Sequence, residues 1–87
     1  MVFLKERVGK ITHYFDRIGV AVIELEATLS EGEMLSIERE GNAFEQKAAS
    51  MQVDRKPVKS AGKGEAIGMK VLQAARPGAE VYRVTGQ

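Results

Sequence analysis

The sequence has no cysteine and no tryptophan, a single histidine and two prolines in 87 residues. Without cysteine no disulfide or Cys-ligated metal can staple the chain, so closure of the fold rests on hydrogen bonding and apolar packing. One histidine, His13, is too few for a multi-histidine metal site or a histidine relay. Long apolar runs are also missing. The run Val20 to Ile23, as long as any, stops at Glu24, far short of the ~20 residues a membrane-spanning helix needs. Lys5, Glu6, Arg7 and Lys10 interrupt the first segment, which excludes a signal-peptide type of apolar stretch. A cytoplasmic chain with no membrane contact and no cofactor is expected.

What is present is the composition of one small domain, residues 1–87, with 44% apolar and 29% charged residues. Such a chain buries about 60 to 65% of its unfolded surface, too little for two independent domains. Thirteen Lys plus Arg against 12 Asp plus Glu leave a formal charge of +1, which names no partner.

Apolar residues recur at every second position in short segments punctuated by Gly, Pro, Asp and Ser, the pattern of strands. The first strand is expected from about Val8 to Phe15. An Asp16-Arg17 turn leads to the second, Ile18 to Leu25, and the two form a hairpin. In the third, Met34 to Arg39, Leu35 and Ile37 point inward and Ser36 and Glu38 outward, after a turn where Gly32 takes positive φ. Glu40-Gly41-Asn42 turns into a long strand from Phe44 to Val53, with Ala49, Met51 and Val53 on one face. Residues Asp54 to Gly64 read as a polar loop. Ile67, Met69 and Val71 mark a fifth strand, Pro77-Gly78 a type II turn, and Glu80 to Val84 a sixth strand. Six strands with almost no helix hide their edges best by closing, so the expected fold is all-β, a small closed six-stranded barrel. Tyr14, Phe15, Phe44 and Tyr82, with Met34, Met51 and Met69, are expected chiefly in its core, and Phe3 and Leu4 over a barrel end or an interface.

Four stretches, in order, resemble the second-domain β-barrel of translation GTPases such as elongation factor Tu. They are Val8-Gly9-Lys10-Ile11 with Ile18-Gly19-Val20-Ala21-Val22-Ile23; Leu29 to Ile37 around Gly32-Glu33; Ser50 to Val53 with Ala61 to Met69; and Arg76-Pro77-Gly78-Ala79-Glu80-Val81. The resemblance implies a translation-protein type of barrel and a role in holding tRNA or touching the ribosome. The family's Gly-Arg-Gly turn is replaced by Asp16-Arg17-Ile18-Gly19, and no family binding residue carries over. No nucleotide-binding domain accompanies the barrel, so GTPase activity is not implied. Barrels of this type also occur as appendages on unrelated enzymes, including a family of collagenase-like peptidases, and fold underdetermines task.

No enzymatic chemistry emerges from the residues. His13, Asp16, Asp54 and the four serines lack a nucleophile-elbow motif, and His13 reads as a packed residue beside Tyr14 and Phe15. Ser60-Ala61-Gly62-Lys63-Gly64 fails the phosphate-loop spacing and precedes a strand, so nucleotide binding is not expected. Charge is segregated, however. Seven Glu and one Arg lie between Glu24 and Glu45, whereas Lys47 to Lys63 holds Lys47, Arg55, Lys56, Lys59 and Lys63 against Asp54. An acidic and a basic side follow if the segments do not interleave. Arg55, Lys56, Lys59 and Lys63 are the candidate contact residues, able to neutralise two to four phosphates. The expected function is a non-enzymatic binding module meeting RNA, the ribosome or a protein partner; the alternative is a structural or regulatory protein-interaction subunit with no nucleic-acid role.

Overall fold

The alternating segments do form strands, in a computed structural model that describes residues 3–86. In chain order these are β1 (Phe3–Phe15), β2 (Val20–Leu25), β3 (Leu29–Ser30), β4 (Met34–Arg39), β5 (Asn42–Lys47), β6 (Met51–Val53), β7 (Lys56–Pro57), β8 (Ser60–Ala61), β9 (Ala66–Lys70) and β10 (Glu80–Gly86). Eight of them make one sheet in the order β5-β4-β10-β1-β2-β9-β6-β7, and β3 pairs with β8 alone. Every strand pairing is antiparallel. The all-β expectation holds; the closed six-stranded barrel does not. The large sheet ends at β5 on one side and β7 on the other, with no ladder between them.

The reason lies in the segment expected as one long strand from Phe44 to Val53. It breaks at Ala48-Ala49-Ser50, where Ser50 has φ 55°, so β5 stops and β6 sets off to pair with β9. Ala48, not Ala49, turns inward. The seam this leaves is spanned by a side chain. Gln46 on β5 is buried; its Nε2 donates to the Lys70 carbonyl at 2.9 Å and its Oε1 accepts from the Leu72 N–H at 2.8 Å. A carboxamide thus stands where a peptide group of one more strand would stand.

β1 is longer than its apolar pattern indicates because it serves two neighbours. Its first part pairs with β10 and its second with β2, and register shifts around Val8 and around Thr12 bend it between them. The backbones approach closely at Gly9: a Cβ there would lie 2.5 Å from the Glu24 carbonyl oxygen. The β1–β2 turn occupies Asp16 to Gly19, so β2 begins at Val20 rather than Ile18. Gly32 has positive φ, and Pro77-Gly78 is the expected turn, with the Ala79 N–H donating to the Arg76 carbonyl at 3.1 Å. Within the segment read as a loop, Asp54 and Arg55 form a tight two-residue turn, both at positive φ, and pair β6 with β7.

Ile11, Ile23, Leu29, Leu35, Met51, Ile67, Met69 and Val81 fill the interior and are almost wholly buried. Each such side chain stabilises the fold by about 1.5 to 3 kcal/mol relative to exposure. The aromatic residues contribute less than expected. Tyr14 and Phe44 only flank the core, Phe15 is half exposed, and Tyr82 faces outward with the Lys5 ammonium 4.9 Å from its ring centre. Met34 sits at the surface, and Leu4 is an exposed member of β1 opposite Thr85 rather than a cover over one end. The side chain of Phe3 lies outside the described residues. Ser36, expected outward among solvent, is buried by its neighbours β10 and β5 and donates to Glu38 at 2.9 Å.

Candidate functional site

The four cations singled out from sequence are all exposed. Arg55 is in the β6–β7 turn, Lys56 opens β7, Lys59 precedes β8 and Lys63 is in the turn before β9. The acidic and basic segments interleave here, contrary to a simple two-sided charge distribution. Ser30 on β3 pairs with Ser60 on β8, and the Glu31 N–H donates to the Lys59 carbonyl at 2.7 Å. None of the four cations forms a salt bridge among the described residues.

Several carboxylates, Glu6, Glu26, Glu33, Glu38 and Glu80, are instead matched by cations of β1 and β10, across the outer wall of the sheet. Register places Glu80 directly opposite Glu38, a like-charge pair that would be repulsive alone. Lys5 donates to Glu38 at 2.7 Å, Arg7 bridges Glu26 and Glu80 at 3.3 and 3.2 Å, and the Tyr82 hydroxyl donates to Glu80. The Lys5 hydrogen bond, joined by that of Ser36, holds the Glu38 carboxyl below its ordinary value, while the bond to Glu80 raises the Tyr82 phenol above its own. Arg83, the least exposed of these cations, meets Glu6 at 2.5 Å, Glu33 at 3.1 Å and the Thr28 carbonyl at 2.7 Å. A shallow recess over Lys5, Met34, Ser36, Glu38, Ala43, Glu45 and Val84 therefore offers a ligand charges that are largely already matched.

A different arrangement occurs at the end of the seam beyond Gln46. There a recess of about 220 Å³ lies between β5 and residues 73–76, lined among others by Arg39, Asn42, Phe44, Gln73 and Arg76. The β4–β10 register carries Arg39 to the Pro77-Gly78 turn, where its Nε donates to the Pro77 carbonyl at 3.3 Å. Arg39 also meets Glu40 at 3.2 Å, whereas Arg76 forms no salt bridge among the described residues. Sequence reading missed this pair because 37 positions separate the two arginines, and only the β4–β10 pairing unites them. The turn at Pro77-Gly78 was the signal available.

His13 is exposed and stacked on Phe15 at 6.4 Å between ring centres. No group of three or more His, Cys, Asp or Glu suited to hold a metal occurs among the described residues. No helix among the described residues is long and apolar enough to cross a membrane.

No protein-family model matches the chain. An uncharacterized protease of Methanocaldococcus jannaschii is 33% identical over 81 residues, which cover 92% of this chain but 20% of that protein. The chain thus spans about one fifth of the length of the curated relative it matches. Two crystal structures of the C-terminal domain of a Geobacillus thermoleovorans putative U32 peptidase, one of them a selenomethionine variant, superpose with a TM-score of 0.83. Their identities are 16% and 17%; the first match covers 90% of this chain and 99% of that domain, the second 93% of each. At that identity the likeness is one of fold. These findings overturn the resemblance to the second-domain barrel of translation GTPases, and with it the RNA- or ribosome-contacting module; they lend no added support to the alternative of an interaction subunit. The motifs behind that resemblance, Gly32 at positive φ and Pro77-Gly78 in a tight turn, meet backbone requirements common to small antiparallel sheets and carry no family identity.

Proposed function

We propose that this chain is an accessory module of the kind found at the C-terminus of U32 peptidase-type proteins, and that it contributes no catalytic residue. The observation that carries the reading is the agreement of the two comparisons. A 33% identical segment spans nearly the whole chain within a protein called a protease, and the matching fold is a C-terminal domain of a putative U32 peptidase. The setting of His13 supports the second half, since its ring lies against Phe15 on an exposed strand face rather than in a cleft beside a nucleophile. Arg55, Lys56, Lys59 and Lys63, exposed and without carboxylate partners among the described residues, are the residues we assign to contact with an acidic surface of such a protein.

The test is hydrolysis of fluorogenic casein by three purified samples: this chain, the Methanocaldococcus relative, and that relative without the 81-residue matching segment. Turnover by the relative with none by this chain is the expected result. Hydrolysis by this chain alone, abolished by His13→Ala, would overturn the accessory reading.

A further inference from the structure

Beyond the accessory role, and not resting on it, we propose that the open end of the seam is a binding slot for an extended peptide segment bearing a carboxylate. Three independent features converge there. The first is an unused sheet edge. In the two-residue hairpin that joins β4 to β5, Arg39 and Asn42 form the hydrogen-bonded pair next to the turn, so Ala43 and Glu45 turn their N–H and C=O groups away from β4. Since β5 ends the sheet, those groups meet no ladder partner.

The second feature is the facing wall. The N–H groups of Gln73, Ala74, Ala75 and Arg76 donate no hydrogen bond within the described residues, although Leu72 just before them is bonded to Gln46. The recess thus brings Ala43 of the free edge to residues 73–76, main chain with free polar groups on both sides, an arrangement that can take up an extended segment. Next to the recess, Gln46 already occupies the wall's polar groups. Its amide donates to the Lys70 carbonyl and accepts from the Leu72 N–H, so the free groups begin at Gln73.

The third feature selects the ligand's charge. Arg39 and Arg76 both line the 220 Å³ recess, and of the ionised groups there no carboxylate is among the lining residues. Glu40 meets Arg39 from outside it, and Arg76, which shares an adjoining recess with Asp16, forms no salt bridge among the described residues. Guanidinium groups pair with carboxylates through parallel hydrogen bonds, so the C-terminal carboxylate of the segment is the group favoured at this end.

The experiment is an amide chemical-shift titration of the whole chain with two pooled libraries of N-acetylated pentapeptides, degenerate at the first four positions. One pool ends in Ala with a free α-carboxylate, the other in Ala amide. Saturable shifts at Ala43 and Gln73 to Arg76 with the first pool, at least tenfold weaker with the second, are expected. Arg76→Glu, at an exposed position without an ion pair, should weaken the first pool's binding at least tenfold while leaving the thermal midpoint in place. Absence of saturable shifts overturns the proposal, as do equal responses to both pools or shifts confined to Arg55 to Lys63.

Discussion

The Gln46 amide and the Lys70 carbonyl, 24 residues apart, are joined by a 2.9 Å hydrogen bond across the line where the sheet fails to close. The same amide takes the Leu72 N–H at 2.8 Å, so one side chain satisfies two main-chain groups that no strand reaches. Gln46→Leu keeps the volume and removes both bonds. It should destabilise the chain by about 1 to 3 kcal/mol, the cost of leaving part-buried polar groups unpaired. Urea unfolding measures the loss, and faster exchange of the Leu72 amide would localise it. Lys47→Ala, at the exposed neighbour, should change stability by less than about 0.5 kcal/mol.

Two glycines separate close approach from mere permissiveness. Gly9→Ala places a methyl 2.5 Å from the Glu24 carbonyl oxygen and 2.9 Å from Ile23 Cγ2, and backbone must move to admit it. A cost of about 1 to 3 kcal/mol is expected. At Gly68 the same methyl meets Val20 Cγ1 at 3.5 Å, an ordinary contact. Gly68→Ala should be neutral or stabilising by up to about 1 kcal/mol through the unfolded chain. Similar denaturation midpoints for the two variants would refute the distinction.

The core and its turns were legible from sequence because they rest on local rules. Leu35 and Ile37 alternate inward, Gly32 and Gly78 take positive φ, and Met51 and Met69 face each other in the core. The first half of β1 was not legible. Lys5, Glu6 and Arg7 carry no apolar alternation, and their strand is held by partners distant in sequence, Glu38, Arg83 and Glu80. Closure misled for a related reason. The break at Ser50 depends on a left-handed backbone at a residue whose type does not announce it, and Gln46 reads as one more polar surface residue until its partners are known.

Glu38 makes the outer wall sensitive to acid. Its bond to Lys5, aided by Ser36, lowers its pKa below the ordinary 4.5, so its contribution to stability is present above that pH and lost as pH falls through the folded-state value. Carboxyl carbon shifts should report a midpoint under 4.5, and Lys5→Ala should raise it. A midpoint unchanged by that substitution would show that the pair does not set the pKa.

Arg83 and the cations of the β6–β9 region should behave differently on removal. Arg83 is only 19% exposed and holds Glu6, Glu33 and the Thr28 carbonyl together. Arg83→Ala should cost about 1 to 3 kcal/mol. Changing Arg55, Lys56, Lys59 and Lys63 together to Ala removes no ion pair seen among the described residues, and should shift stability by no more than about 1 kcal/mol. Thermal unfolding of the two variants side by side checks the contrast.

Asp54 and Arg55 stand in succession at φ 50° and 65°, in a region of the backbone map that glycine would enter freely. The long arginine side chain is therefore presented at the apex of a bend whose own conformation resists it. Relieving that resistance with glycine would firm up the hairpin and discharge its tip in the same stroke, so at this position rigidity and surface positive charge are opposed.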